Sequence, residues 1–128
     1  MPIDQAVLAE ARALVSKAGM AGFERAGIAP VSDGGECIVE IALIDPPQRA
    51  VGVPNFDKPD PDRPGIVRSA IILSAIREGL PLPPVLLFKR AGETRYELRE
   101  GFHRFHLFAA LGYTHVAAIL TDWKPGEY

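Results

Sequence analysis

The sequence predicts an α/β (α+β) fold, a small mixed β-sheet with helices around it. Three observations carry this: a β-branched run at residues 37–44, a strand–turn–strand pattern over 85–100, and three segments with helical apolar spacing placed before, between and after them. The 128 residues suit one domain, divided into an N-terminal helix (1–22), a core (36–120) and a tail (121–128). A chain this long buries roughly two-thirds of its unfolded surface, enough for a core without disulfides or a structural metal.

Residues 3–18, IDQAVLAEARALVSKA, form the first helix. Asp4 caps it; Ile3, Val7, Ala11, Leu14, Val15 and Ala18 make its apolar stripe, and Gly19 and Gly22 end it. The stripe could pack on the domain or on a second copy in a homodimer. Residues 37–44, CIVEIALI, form a strand stopped by Pro46 and Pro47. Ala50 to Gly65 is a loop, since Pro54, Pro59, Pro61 and Pro64 forbid regular structure. Residues 65–78 form a second helix with Pro64 near its first turn, rich enough in apolar residues for two buried faces.

Residues 85–89, VLLFK, form a strand; 91–93, AGE, turn the chain, and 94–100, TRYELRE, return it. Tyr96 and Leu98 face one side, and Arg95, Glu97 and Arg99 the other. A third helix covers about 102–111, with Phe105, Phe108, Ala109 and Gly112 toward the core, and a last strand covers 116–120. Trp123 and Tyr128, in the tail, are expected to pack back onto the sheet.

Composition narrows the function classes. An apolar fraction of 48% and a net charge of -2 fit a globular protein and speak against DNA binding by overall charge, so an anionic ligand needs a local site. Cys37 is the only cysteine, which excludes an intrachain disulfide and a multi-cysteine zinc site and suits a small buried side chain. No apolar run reaches the ~18–20 residues of a membrane span, and the first residues do not read as a signal peptide. A cytoplasmic location is expected.

The stretch LREGFHRFHLFAALG, Leu98 to Gly112, concentrates the chemistry. A helix start points backbone N–H groups outward, and the helix dipole makes that end weakly positive. Gly101 lets the chain turn and a phosphate approach without a Cβ in the way. The amide of Phe102 and those after it would cradle phosphate. Arg104 offers a planar fork of donors, and His103 a shorter donor whose charge responds to its neighbours. Glu100 could hold a divalent metal on a phosphate or accept a proton from a hydroxyl. Two bland readings stand beside this one: the glycine serves the turn alone, and Arg104 pairs with Glu97 or Glu100. His103 and His106, three apart, could also share a metal, but no clear third ligand exists beyond His115.

From Val39 to Leu120 the order of elements resembles the ParB/sulfiredoxin-like superfamily. VEIALIDPPQR is similar to its opening strand and loop. The segment from Ile66 to Leu120 is similar to its helix, its strand after a G-x-x-x-P pattern, its hairpin, its signature and its closing strand. The most specific part is ELREGFHRFHLFAALGYTHVAAIL, with a glycine, two variable residues and an arginine before an amphipathic helix. The resemblance implies phosphate or nucleotide binding at Gly101, Phe102, His103 and Arg104, with Gln48 and Arg49 as further polar contacts. It implies ATP or CTP, with Mg²⁺, as the ligand of a phosphotransferase or NTPase. Sulfiredoxins carry a cysteine where this chain has Phe102, which removes thiol chemistry. Chromosome-partitioning members carry a glutamate after the glycine and a following helix-turn-helix region; Phe102 stands in the glutamate's place, and centromere clamping is not expected. Free serine kinases carry an acidic residue before the glycine and a histidine-rich signature, so Glu100, His103 and Arg104 come nearest to that pattern. Alternatives are a nucleic-acid-binding or regulatory module using the pocket for a backbone phosphate, and a non-catalytic dimeric scaffold. Asp57, Asp60 and Asp62 could form a lid carrying Mg²⁺ or only a solvated linker.

Overall fold

The computed structural model describes residues 3–20, 22, 37–47, 56, 68–80, 82–89 and 92–121. Helix α1 spans Gln5–Lys17, and the Asp4 carboxylate accepts the Ala6 N–H at 2.8 Å, as its capping position predicts. Its buried line is Leu8, Ala11 and Val15, with Val7 half-buried, so the apolar stripe is turned slightly from the expected one. The helix packs on the body of its own chain, against the third helix.

The run at 37–44 does not make one strand. Strand β1 is Cys37–Glu40; a 3-10 turn takes Ile41–Leu43; strand β2 is Ile44–Asp45. Strand β3 is Val85–Phe88, β4 is Tyr96–Glu100 and β5 is His115–Leu120. Their order is β1–β5–β3–β4–β2, with β1/β5 and β3/β4 antiparallel and β5/β3 and β4/β2 parallel. The break in the run has a geometric cause. β1 and β2 lie at opposite ends of the strand order, which in a flat sheet would be roughly 19 Å apart at ~4.8 Å per strand. A 3-10 turn advances only about 2 Å per residue. The sheet therefore curls until its two edges approach, and the turn carries the chain across. The Ile41 N–H, bonded to the Thr114 carbonyl at 2.9 Å, fixes where the crossing starts.

Arg95 locks the other side of the crossing. Its Nη2 donates to Asp45 Oδ1 at 2.6 Å and to the Ala42 carbonyl at 3.1 Å, and its Nε donates to Asp45 Oδ1 at 3.0 Å. One guanidinium thus ties the entrance of β4 to the turn and to β2. On the next positions of β4, Arg99 donates to Glu97 at 2.8 Å and lies over the Phe88 ring at 4.9 Å, on the sheet face away from Leu98, as the strand alternation predicts.

Helix α2, Arg68–Arg77, buries one stripe (Ser69, Ile72, Leu73, Ile76) and not two faces: Ile71 is 52% exposed. Its last residue, Arg77, donates to the Ala18 carbonyl at 2.6 Å and so ties the end of α2 to the end of α1. Helix α3, Phe102–Leu111, departs most from a simple amphipathic pattern. Phe105, His106, Leu107, Phe108 and Leu111 are all buried: the helix packs against α1 and α2, and its apolar residues share one core cluster with Val85, Leu87 and Leu98 of the sheet. Ala109 is only half-buried and Gly112 is exposed, ending the helix with a positive φ of 94°. Cys37 is half-buried, its Sγ 3.7 Å from the Ala118 carbonyl. No helix among the described residues is long and apolar enough to cross a membrane. Pro64, Trp123 and Tyr128 lie outside the described residues.

The Asp45–Arg95 pair has a defined pH dependence. Hydrogen bonds from Arg95, against a smaller opposing effect of burial, hold the Asp45 carboxyl below its ordinary value. A carboxyl depressed in the folded state stabilises the fold above its unfolded value, and that contribution is lost as pH falls through the folded value. Arg95→Ala therefore lowers stability near neutral pH, and the gap between variant and parent narrows below about pH 4, the part owed to the Ala42 carbonyl persisting. Urea unfolding at a series of pH values measures it; a gap that stays constant into acid would refute the assignment.

Candidate functional site

The site is built where β4 gives way to α3. Gly101 takes φ 106° and ψ 31°, a left-handed conformation that side chains resist. A Cβ there would lie 2.8 Å from Val85 Cγ1 and 3.2 Å from Arg104 Nη2. Both facts require glycine: the chain turns sharply, and the start of α3 is pressed onto the start of β3. The Phe105 N–H bonds to the Gly101 carbonyl at 2.8 Å, closing the first helical ring. The capping position offers no side chain to the outward-pointing amides of the first turn.

The second distance also places Arg104. Its guanidinium folds back over Gly101 to the helix end. Nη2 donates to the Pro84 carbonyl at a long 3.3 Å, and Nε is buried with no hydrogen-bond partner among the described residues. Burial lowers the Arg104 pKa from its ordinary value; Glu100 opposes that shift and Arg68 adds to it. The group nevertheless stays charged at neutral pH. Among the described residues Arg104 makes no ion pair: Glu97 bonds Arg99 instead, and the exposed Glu100 acts on Arg104 only through its field. The contrast with Arg99 is informative. Both bury an unpartnered Nε, but Arg99 has a carboxylate and a ring face, whereas Arg104 has one weak carbonyl contact.

His103 leans into an aromatic cluster, 5.3 Å from Phe56 and 6.0 Å from Phe102 between ring centroids. His106 is 1% exposed, and its Nδ1 is 2.8 Å from the Phe102 carbonyl. Among the described residues no group of three or more His, Cys, Asp or Glu side chains stands where it could hold a metal ion. Glu100, Gly101, Phe102, His103 and Arg104 follow one another in the chain and stand at the junction of β4 and α3. Gln48, Arg49, Asp57, Asp60 and Asp62 lie outside the described residues.

Two participants escaped the sequence reading. Arg68 opens α2 and adds positive potential at Arg104. A signal for it existed: a cation in a helix's first turn opposes the dipole, and both α2 and α3 carry an arginine and no acid there. Phe56 covers the rings of Phe102, His103 and His106. It is an aromatic residue within a proline-rich stretch, which alone does not say what it touches.

No family model matches the chain, and no curated protein matches it. Among solved structures it is similar to a free serine kinase in complex with AMP, with TM-score 0.50 and 21% identity. The match covers 77% of this chain but 35% of the kinase, so the chain spans about a third of that protein's length. At that identity the likeness is one of fold.

The turn makes its own prediction. Gly101→Ala loses about 1–2 kcal/mol to the left-handed backbone alone, with the contact on Val85 added. Val85→Ala relieves the contact but not the strain. In a double-mutant cycle by chemical denaturation the two changes therefore couple favourably, and strict additivity would contradict the close approach.

Proposed function

We propose that this chain is a nucleotide-phosphate-binding domain of the ParB/sulfiredoxin-like superfamily, using ATP or CTP as a phosphotransferase or NTPase. The observation that supports it above the rest is Arg104: a charged guanidinium, partly buried, with an unpartnered Nε, folded over a glycine at a helix start. Such a group lowers stability unless something negatively charged completes its hydrogen bonds. Phosphate has the matching charge and the paired oxygens. Arg68 adds a second positive charge suited to a polyphosphate. The similarity to a kinase structure containing AMP points to the same ligand class.

In this reading the first-turn amides of α3 and Arg104 hold phosphate oxygens, and Arg68 screens the remaining charge. Glu100, exposed at the rim, accepts the acceptor hydroxyl's proton or contributes one oxygen to Mg²⁺. The donor set fits an ion that arrives on the nucleotide, since phosphate oxygens and water supply most of a magnesium shell. His103, held against aromatic rings, gives the site a half-buried wall and a donor near the phosphate.

A thermal-shift screen of ATP, CTP, GTP and their diphosphates, with and without Mg²⁺, tests this. Ligand at a hundred times its dissociation constant adds about 2.7 kcal/mol, or roughly 10 °C for a domain of this size. Arg104→Met is expected to be as stable as the parent or more so without ligand, because it removes an incompletely paired buried charge. It should lose the nucleotide shift. A parent that responds to no nucleotide, or a variant that keeps the full shift, would refute the reading.

A further inference from the structure

Helix α2 carries two charges that its own dipole disfavours. Arg68 stands in its first turn, with no acid beside it, and Glu78 follows its last residue, the Glu78 N–H still bonded to the Ser74 carbonyl at 3.0 Å. Both side chains are exposed, and among the described residues neither has an ion-pair partner. Between them the same face exposes Ile71 and half-exposes Ala75. Arg68, Ile71, Ala75 and Glu78 recur at spacings of three, four and three residues, a heptad seam turned away from the buried stripe of the helix. Past the helix end Gly79 turns the chain with φ 74°, and the Leu80 N–H bonds back to the Ala75 carbonyl at 2.8 Å. Leu80, 51% exposed, is thereby brought beside the seam.

We infer that this face of α2 docks on the same face of a second copy of the chain, the two helices lying antiparallel across a twofold axis. A contact of that symmetry must match itself. A parallel pairing in register sets Arg68 against the partner's Arg68. An antiparallel pairing centred at the level of Leu73 sets Arg68 opposite the partner's Glu78 and Ile71 opposite the partner's Ala75, each twice. Every cation then meets an anion, and every large side chain meets a small one. The pairing also resolves the dipole conflict: Arg68 lies at the negative end of the partner's helix, and Glu78 at its positive end. Two charges that each weaken α2 alone both stabilise the pair. This complementarity of charge selects a copy of the chain as the occupant. Such a short helix pair buries less than the ~1,200 Å² of a standard interface, so the dimer is weak and concentration-dependent. The inference is independent of the phosphate reading.

Charge exchange tests it. Sedimentation velocity of the full chain, at concentrations up to about 1 mM, measures the monomer–dimer equilibrium. Arg68→Glu and Glu78→Arg each set like charges against one another at both ends of the seam, and each should weaken the dimer roughly tenfold or more. Both single changes suit the dipole of α2, so thermal unfolding of the dilute protein should show each variant folded and at least as stable as the parent. The double variant, Arg68→Glu with Glu78→Arg, restores opposite charges across the axis and should recover most of the lost affinity. Ile71→Ala, which empties the large side of each large–small pair, should weaken the dimer without unfolding the chain. A parent that stays monomeric at about 1 mM, a dimer indifferent to either single exchange, or a double variant no better than the single ones would each overturn the inference.

Discussion

The enclosure of α3 governs this molecule. A helix buried on nearly every side cannot slide or tilt without disturbing the sheet and both other helices. Its first residue is therefore fixed in space as firmly as its core. Val85 against Gly101 supplies the last constraint, pressing the helix start onto the start of β3. The start of α3, Gly101 to Arg104, is half-buried and continues directly into the buried run Phe105 to Phe108.

Energetics explain how the chain tolerates what it places there. Leaving the Arg104 Nε without a partner costs about 1–3 kcal/mol. Burying Phe105, Leu107, Phe108 and Leu111 contributes roughly 1.5–3 kcal/mol each. The apolar contribution from the same helix outweighs the polar penalty at its tip, so the penalty persists. Arg68 sharpens the imbalance, since two like charges approach one another where neither helix supplies an acid. These departures from good helix design gather at the point where the phosphate site is proposed.

Much of this was legible in the sequence because it depends on near neighbours. Asp4 before an apolar stripe, the hairpin through Gly92, and the glycine between β4 and α3 are local signals, and each element appears where its signal stands. The cluster of Gly101, His103 and Arg104 was legible for the same reason. What was not legible depends on partners far along the chain. β-branched residues at 37–44 announce extended backbone, but not that the sheet must curl and break them after Glu40. Ile71 counts as core by composition, yet nothing packs above it enough to bury it. His106 counts as polar and is among the most buried side chains, because α3 runs through the middle of the molecule. Arg68 and Phe56 join the site only through tertiary contact.

The curled sheet has an unusual pair of edges. Both outermost strands come from one short ribbon, Cys37–Asp45, which borders β5 on one side and β4 on the other. One nine-residue strip thus borders both β5 and β4, and the Arg95 bonds to Ala42 and Asp45 and the Ile41–Thr114 bond hold it in place. Guarding against sticky self-association is therefore concentrated in one place along the chain, and peeling that strip away uncovers two templates for aggregation at once.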